Sequence, residues 1–245
     1  MGVRIETTPF PAFPAGSTYE QKHRILSSEE RRVHVSWHGQ HLFETMCPRG
    51  VFNPGIGVAA DALIKVVLEH QLPVRDADVV DLGCGSGIIG LSCIHAGARS
   101  VLFSDVNPAV DVLARHRMLR DADRVCVQDL LTDASSESAD VVIMSTPTAL
   151  QLDGQGHAHE ETNIGADDAF LPRVGRHAGR VLRPGGTLCL WVSLLLGPTW
   201  MESFVDAVVP WFDPQTFHVL DPAPEQAGQQ NWMICRIDKR GGVGD

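Results

Sequence analysis

Three glycines at alternate positions constrain this chain more than any other feature. Gly83, Gly85 and Gly87 follow a short apolar run that ends near Asp81, and a helix-compatible run comes after them. This order predicts a strand, a tight turn and a helix. Because glycine has no side chain, a ligand can lie against the main chain, where the N–H groups that open the helix face it. The turn therefore predicts a cofactor site.

Two cofactor classes fit this turn. Residues 85–90 match the dinucleotide fingerprint G-x-G-x-x-G, with Asp105 further along, which is typical of a nucleotide-dependent oxidoreductase. The longer pattern from Asp81 to Gly87 resembles motif I of the class I S-adenosylmethionine-dependent methyltransferases. The carboxylate of Asp81 favours the second class, because it would repel a diphosphate and attract the ammonium and sulfonium groups of S-adenosylmethionine.

Strands and helices alternate from residue 76 onward, which predicts an α/β fold. We expect a doubly wound, mostly parallel, seven-stranded sheet of the Rossmann-like methyltransferase type, with an N-terminal hairpin and arm as an extension. The predicted strands are 78–82, 100–104, 124–128, 139–144 and 187–193, and a closing antiparallel hairpin joins 217–220 to 232–237. The predicted helices are 56–70, 87–96, 109–118, 168–182 and 200–209.

The N-terminal region differs from the rest of the chain. Residues 1–30 are rich in Pro, Ser and Thr and show no clear periodicity, so a mobile tail, a lid and a docked arm are all open. Residues 32–37 and 41–46 alternate in polarity, which predicts a hairpin. We therefore expect an arm and hairpin extension at 1–50 and a methyltransferase domain at 51–245.

Composition and charge limit the function classes. Apolar residues make up 44% of the 245 residues and charged residues 20%, as is ordinary for a globular protein. The N-terminus lacks a secretory pattern, and no apolar run approaches the roughly 20 residues of a membrane span. The six cysteines form no C-x-x-C pair, so we expect a cytoplasmic protein without a membrane partner. The net charge of −10 disfavours nucleic acid and favours a cationic or neutral partner, and a homodimer stays open.

Acids follow three successive predicted strands, at the end of the sheet where ligands bind. The resemblance implies that Asp81 meets the methionine end of the cofactor, Asp105 accepts hydrogen bonds from both ribose hydroxyls, and Asp129 binds the adenine amino group. Any one of these acids alone could be a turn residue or a helix cap. The expected cofactor-binding residues are Asp81, Gly83, Gly85, Gly87, Asp105, Val106, Asp129, Leu130 and Ser145.

The fourth predicted strand runs into Ser145-Thr146-Pro147-Thr148. Residues 45–195 resemble the small-domain branch of the methyltransferases, which includes the glutamine methyltransferases of release factors and the guanine-N2 methyltransferases of ribosomal RNA. That branch carries Asn-Pro-Pro-Tyr or Asn-Pro-Pro-Phe here, so Ser145 replaces the asparagine and Thr148 the aromatic residue. The resemblance implies that Ser145 and the Thr146 carbonyl accept hydrogen bonds from the target nitrogen, whereas Thr148 cannot stack on a planar group.

A long polar loop follows this motif. Glu160 and Glu161 are candidates for holding a cationic substrate through charge-assisted hydrogen bonds, and His157 and His159 are candidate general bases. The histidine spacing completes no zinc pattern, so no metal is expected. The expected catalytic residues are Ser145, Thr146, Glu160 and Glu161.

These residues together predict an S-adenosylmethionine-dependent methyltransferase. We expect N-methylation of a small cationic metabolite, an amine or a guanidine, of the kind made in specialised metabolism. A protein or RNA N-methyltransferase is the alternative within the class, and O-methylation stays open. The alternative from another class is a cofactor-binding fold without turnover. Cys84 is interpreted as a small filler, because no base is placed near it in the sequence.

Overall fold

The computed structural model describes residues 2–17, 19–56, 58–146, 170–193, 198–220 and 232–241. In these ranges no helix has both the length and the apolar character needed to cross a membrane. The strands are β1 (Val3–Thr8), β2 (Arg31–Trp37), β3 (Gln40–Cys47), β4 (Asp78–Leu82), β5 (Ser100–Asp105), β6 (Arg124–Val127), β7 (Ala139–Ser145), β8 (Leu182–Ser193), β9 (His218–Leu220) and β10 (Trp232–Asp238). The helices are α1 (Tyr19–Ser27), α2 (Ala59–Leu68), α3 (Ile88–His95), α4 (Phe170–Val181) and α5 (Pro198–Val208).

The strands from residue 78 onward form one seven-stranded sheet in the order β6-β5-β4-β7-β8-β10-β9. β4 to β8 pair in parallel, whereas β10 is antiparallel to both β8 and β9. The strand order reverses at β4, and the carboxyl ends of the parallel strands form one edge, which we call the carboxyl edge. This topology confirms the predicted doubly wound, mostly parallel seven-stranded sheet.

The core is divided into two layers by the alternation of side chains along the strands. Val79, Ile143 and Trp191 belong to the layer that also holds residues of α2, α3, β2 and β3. Val80, Met144 and Leu190 belong to the opposite layer, with residues of α4 and α5. By this alternation Asp81 and Ser145 lie on the same face of the sheet as Trp191, the α2/α3 face.

The N-terminal arm is docked on the α2/α3 face. β1 pairs antiparallel with β2 and converts the predicted hairpin into a three-stranded sheet, while α1 connects the two strands. The buried Arg31 guanidinium donates to the carbonyls of Pro9 and Leu26, at 2.7 and 3.1 Å, so the arm supplies acceptors that this charge needs. Of the three states that the sequence leaves open, the described residues adopt the docked one.

Two predicted helices were wrong in extent or type. The segment 109–118 is a 3-10 helix at Pro108–Arg115, because its buried residues Val110 and Leu113 are three apart, the spacing that three residues per turn align. The segment 56–70 contains a 3-10 turn at Pro54–Ile56 followed by α2, which ends before His70, a residue with a φ of 58°.

Four charged side chains fix the edge opposite to the carboxyl edge. Asp78 opens β4 and receives hydrogen bonds from Arg99 at 2.6 and 2.9 Å and from Arg183 at 2.9 Å. Asp140 of β7 accepts from the same two arginines, from Arg99 Nη2, which it shares with Asp78, at 3.0 Å and from Arg183 Nη1 at 2.7 Å. The Arg99 hydrogen bonds, with support from Ser100 and Arg183, hold the pKa of Asp78 well below its usual range.

We expect Asp78→Asn to lower the free energy of unfolding at pH 7 by about 1–3 kcal/mol, since arginine donors would lose a charged acceptor. A lowered folded-state pKa stabilises the fold above the ordinary carboxyl pKa of about 4, and that contribution is lost as the pH falls. Urea denaturation at pH 7 and pH 3 measures both effects. The control is Glu6→Gln in the exposed pair with Arg4, where no change above about 0.5 kcal/mol is expected.

Candidate functional site

The glycine turn joins β4 to α3 at the carboxyl edge. Gly83, Gly85 and Gly87 have φ values of 70°, 51° and 74°, in the left-handed region that other residues rarely adopt. The N–H groups of Gly83 and Cys84 donate to the Ser104 carbonyl at 2.7 and 3.1 Å, which ties the turn to the neighbouring strand β5. At Gly83 no atom lies within 4 Å of the position of an added Cβ atom, whereas Gly85 faces Val51 and Gly87 faces Leu113, so within the described residues the space for a ligand is at the start of the turn.

Two carboxylates hold this turn through its N–H groups. Asp105 accepts from the Gly85 N–H at 2.8 Å with one oxygen and from the Asn107 N–H at 2.9 Å with the other. Asp81 accepts from the Gly90 N–H, in the first turn of α3, at 2.8 Å. Gly90 itself leaves room for the ring of Phe103, which would lie 2.3 Å from an added Cβ atom. The acids at the ends of β4 and β5 thus fix the turn and the start of α3.

Asp81 has a second oxygen that is not used by the protein. The residue is 1% exposed, and its Oδ1 atom is buried without a hydrogen-bond partner in the described part of the chain. The pKa of Asp81 is raised to about 7, mainly by burial; the Gly90 hydrogen bond opposes this shift and the charge of Asp105 adds to it. Capping α3 explains one oxygen only, whereas a cationic ligand would explain the other.

The predicted cofactor residues after β5 and β6 occupy the same edge. Val106 is exposed directly beyond Asp105. Asp129 is also exposed, but its carboxylate forms an ion pair with Arg173 of α4, so the predicted adenine acid is already partnered. Leu130 is buried with a φ of 53°, and its carbonyl accepts from the Ser104 hydroxyl at 2.5 Å.

The acceptor motif begins where β7 ends. Ser145 is the last residue of β7 and is in register with Trp191 of β8. Thr146 is buried, and both its hydroxyl and its N–H donate to the Trp191 carbonyl, at 2.7 and 3.2 Å. The Thr146 hydroxyl therefore already has a hydrogen-bond partner. The Thr146 carbonyl is the group left to bind the molecule that accepts the methyl group. Thr148, His157, His159, Glu160 and Glu161 lie outside the described residues.

Six side-chain polar atoms are buried without a hydrogen-bond partner among the described residues, and one of them belongs to His177 of α4. The other five belong to residues at the carboxyl edge: Asp81 and four residues that sequence reasoning missed, Asn53, Asp61, Gln128 and Trp191. Native proteins leave few buried polar groups unpaired, so this concentration points to a ligand. Gln128 directly precedes Asp129, and Asn53 lies in a loop whose Gly50 carbonyl accepts from the Asn107 side chain at 3.0 Å.

Asp61 is a second, partly buried acid at this edge, with its Oδ1 atom buried. It lies in the first turn of α2, and α2 runs into β4 through a loop at the opposite edge, where the Asp76 N–H donates to the Gly97 carbonyl. The start of α2 therefore lies at the carboxyl edge, on the α2/α3 face. Burial raises the pKa of Asp61 to about 6. The signal in the sequence is an acid next to the apolar stripe of a predicted helix.

The thiol of Cys84 is not poised as a nucleophile. Burial, with the charges of Asp81 and Asp105, raises the pKa of Cys84 well above its usual value. The thiolate is the reactive form, so a raised pKa suppresses reactivity. The side chain fits the filler role that the sequence suggests.

Comparison with known proteins identifies the family in which this arrangement of residues occurs. The family model of the methyltransferase small domain matches residues 46–220, which include the glycine turn, the three acids and the acceptor motif. The chain belongs to the methyltransferase small domain family. The methyl donor of this domain is S-adenosylmethionine, so the oxidoreductase alternative is set aside.

Several proteins are similar to this chain. A cypemycin N-terminal methyltransferase from a Streptomyces species is 33% identical over 142 residues, which cover 57% of this chain and 49% of that protein. A ribosomal protein L11 methyltransferase from Cellvibrio japonicus is 29% identical over 159 residues, 65% of this chain and 47% of that protein. The chain thus spans about half the length of these relatives. The structure of a T. thermophilus 16S rRNA methyltransferase with AdoMet and guanosine shares the fold, with a TM-score of 0.59, 20% identity, and coverage of 88% of this chain and 52% of that one.

The site residues suit S-adenosylmethionine on physical grounds. The cofactor carries an ammonium and a sulfonium, and the unpaired Asp81 oxygen offers a buried negative partner. Gly83 leaves open space beside the main chain, and Asp105 keeps lone pairs on both oxygens beyond the two N–H groups that it binds. We expect Asp81, Asp105 and the glycine turn to hold the cofactor.

A helix-capping role and a cofactor-binding role of Asp81 predict opposite effects of its replacement on stability and on affinity. A raised folded-state pKa means that ionised Asp81 destabilises the fold as the pH rises from about 4 to about 7. We therefore expect Asp81→Asn to unfold at an equal or higher denaturant concentration at pH 8, while its affinity for S-adenosylmethionine falls at least about tenfold. Chemical denaturation and calorimetry measure the two quantities. If the variant is less stable and binds normally, Asp81 acts only as a helix cap.

Asp105 and Asp129 are expected to contribute unequally to cofactor affinity. Asp105→Ala removes the acceptor of two N–H groups within the protein and the carboxylate that is expected to bind both ribose hydroxyls. It should weaken S-adenosylhomocysteine binding by about a hundredfold, which corresponds to two charge-assisted hydrogen bonds. Asp129→Ala should cost less than about tenfold, because Asp129 is exposed and paired with Arg173. Calorimetric titration measures both values. Equal losses would contradict this ranking.

Proposed function

We propose that the protein transfers a methyl group from S-adenosylmethionine to an amine nitrogen of a peptide or protein. The observation that carries the proposal is the partly buried Asp61 at the carboxyl edge, whose Oδ1 atom is buried without a hydrogen-bond partner among the described residues. Asp81 already offers one negative partner to the cofactor. A further, partly buried negative charge suits an acceptor that is itself a cation, as a free amine is at neutral pH.

The acceptor motif supports nitrogen as the target. The Thr146 carbonyl and the Ser145 hydroxyl are acceptors that can bind the hydrogens of an amine and so direct its lone pair. Ser145 and Thr146 are therefore proposed as the residues that orient the nitrogen. Glu160 and Glu161 stay candidates for additional contacts with the cation.

The relatives favour a peptide or protein over the free small metabolite that the sequence suggests. Two of them are named for a peptide N-terminus and for a ribosomal protein. A 16S rRNA enzyme shares the fold, but the net charge of −10 opposes a polyanionic substrate. Two of the three arginines of α4 are already engaged, because Arg173 pairs with Asp129 and Arg180 donates to the carbonyls of Leu131 and Ala134.

Asp61 is the proposed proton acceptor. The bound cofactor supplies a methyl group on a positively charged sulfur, and the amine needs a free lone pair to receive it. An ionised Asp61 can bind the ammonium and take one of its protons, which leaves that lone pair exposed. A carboxyl group with a pKa near 6 is ionised at neutral pH and is a stronger base than an ordinary carboxylate.

Replacement of Asp61 tests this role. We expect Asp61→Asn to lower kcat/KM by about a hundredfold with unchanged affinity for S-adenosylhomocysteine. In the natural protein kcat/KM should fall as the pH drops below about 6, since protonation removes the base, and this limb should vanish in the variant. The assay follows transfer of a labelled methyl group to peptides with free amino termini. The control is Asp111→Asn, an exposed acid in the 3-10 helix after β5.

The same assay distinguishes the alternatives. Peptides with acetylated amino termini should not react, and neither should ribosomal RNA fragments. Methylation of RNA but not of peptides would overturn the proposal. Absence of transfer to peptides, proteins, RNA and small amines, despite cofactor binding, would favour the fold without turnover.

We also propose a division at residue 50 and a reducing compartment. The separate sheet β1–β3 supports an N-terminal extension at 1–50 beside a methyltransferase domain at 51–245. The six cysteines are free thiols in the described chain, which supports a cytoplasmic location.

A further inference from the structure

Two indole rings continue the acceptor motif across the sheet. Ser145 of β7 is in register with Trp191 of β8, and β10 lies on the other side of β8 with Trp232 opposite Ser193. The two ring centroids are 6.2 Å apart and the ring planes make an angle of 29°, a stacked arrangement. Both rings pack on the α2/α3 face, which also carries Asp81. The order from the acceptor motif outward is therefore Ser145, Trp191 and Trp232.

Trp191 contains a hydrogen-bond donor that the protein does not use. The residue is 7% exposed, and its Nε1 atom is buried with no acceptor among the described residues. Its backbone carbonyl, by contrast, accepts twice from Thr146. Buried indole N–H groups normally have a partner, so this one points to a ligand at the acceptor end of the site.

Core packing explains only part of this arrangement. Trp191 belongs to the core layer of the α2/α3 face, which accounts for its ring. Packing does not account for the unused N–H, or for a second, partly exposed indole stacked on the side away from the cofactor. In the acceptor motif Thr148 stands where the branch that the sequence resembles carries an aromatic residue.

We infer that Trp191 and Trp232 form the aromatic wall of the acceptor subsite and determine its specificity for an amine-bearing peptide. The Trp232 ring binds the ammonium end through a cation–π contact, and Trp191 Nε1–H donates to the first peptide carbonyl. This inference rests on the proposed function and names the part of the site that recognises the peptide. The two indoles thereby supply the aromatic surface that Thr148 of the acceptor motif cannot provide.

Binding of a tripeptide tests this assignment without turnover. The protein is saturated with S-adenosylhomocysteine and titrated calorimetrically with Ala-Ala-Ala or its N-acetylated form. We expect Trp232→Leu to raise the Kd for the free tripeptide about fivefold and Trp232→Phe to change it less than about twofold, because phenylalanine keeps an aromatic face. Trp191→Phe keeps a ring but removes the N–H, and should also raise the Kd about fivefold.

The control variant is Trp37→Leu, which removes a partly exposed indole from the N-terminal sheet and should leave the tripeptide Kd unchanged. Affinity for S-adenosylhomocysteine should stay the same in all variants, and this reports an intact fold. An unchanged tripeptide Kd in Trp232→Leu, or an equal rise in Trp37→Leu, would overturn the aromatic wall while the proposed function stands. Failure of the natural protein to prefer the free tripeptide over the acetylated one would instead overturn the proposed function, and the wall with it.

Discussion

The hydrogen bonds from the main chain of the glycine turn and of α3 to two acids determine how this carboxyl edge is built. Gly85 and Gly90 donate to Asp105 and Asp81, and each of these bonds joins a different pair of elements. The first adds to the tie that the Gly83 and Cys84 N–H groups make to the Ser104 carbonyl of β5, and the second joins the first turn of α3 to β4. The segment before α2 depends on the same turn, because Val51 lies 3.4 Å from the position of a Cβ atom at Gly85.

The two edges of the sheet use charge in opposite ways. At one edge Asp78 and Asp140 share the guanidinium groups of Arg99 and Arg183, so that each carboxylate is satisfied and stabilises the strands that it joins. At the carboxyl edge a buried carboxylate, Asp81, has an oxygen without a partner in the described part of the chain, and the pKa of Asp81 is raised. Unsatisfied buried charge is costly in the free protein, and a cationic ligand relieves that cost when it binds. Stability and binding are thus assigned to opposite ends of the same strands.

Local patterns predicted the fold well because each strand, turn and helix of the parallel sheet is encoded by neighbouring residues. Asp81, Gly83 and Gly87 indicate both a turn and a class of ligand within a few sequence positions. The missing pieces depend on tertiary contacts: Arg173 reaches Asp129 from a helix 44 positions away, and Trp191 meets Thr146 across 45. The α-helix predicted at 109–118 was wrong because periods of 3.0 and 3.6 residues are hard to distinguish in the sequence of an eight-residue helix.

The residues expected to hold the cofactor and those proposed for the acceptor are separated along the sheet order, so that one set can vary without the other. The expected cofactor acids lie at the ends of β4 and β5 and just after β6, whereas Ser145, Trp191 and Trp232 belong to β7, β8 and β10 on the other side of β4. A change of acceptor residue on β7 therefore leaves the glycine turn and its two carboxylates untouched. Loss of an aromatic side chain after β7 can be offset by indoles on β8 and β10, because neighbouring strands are only about 4.8 Å apart and large rings reach across that spacing.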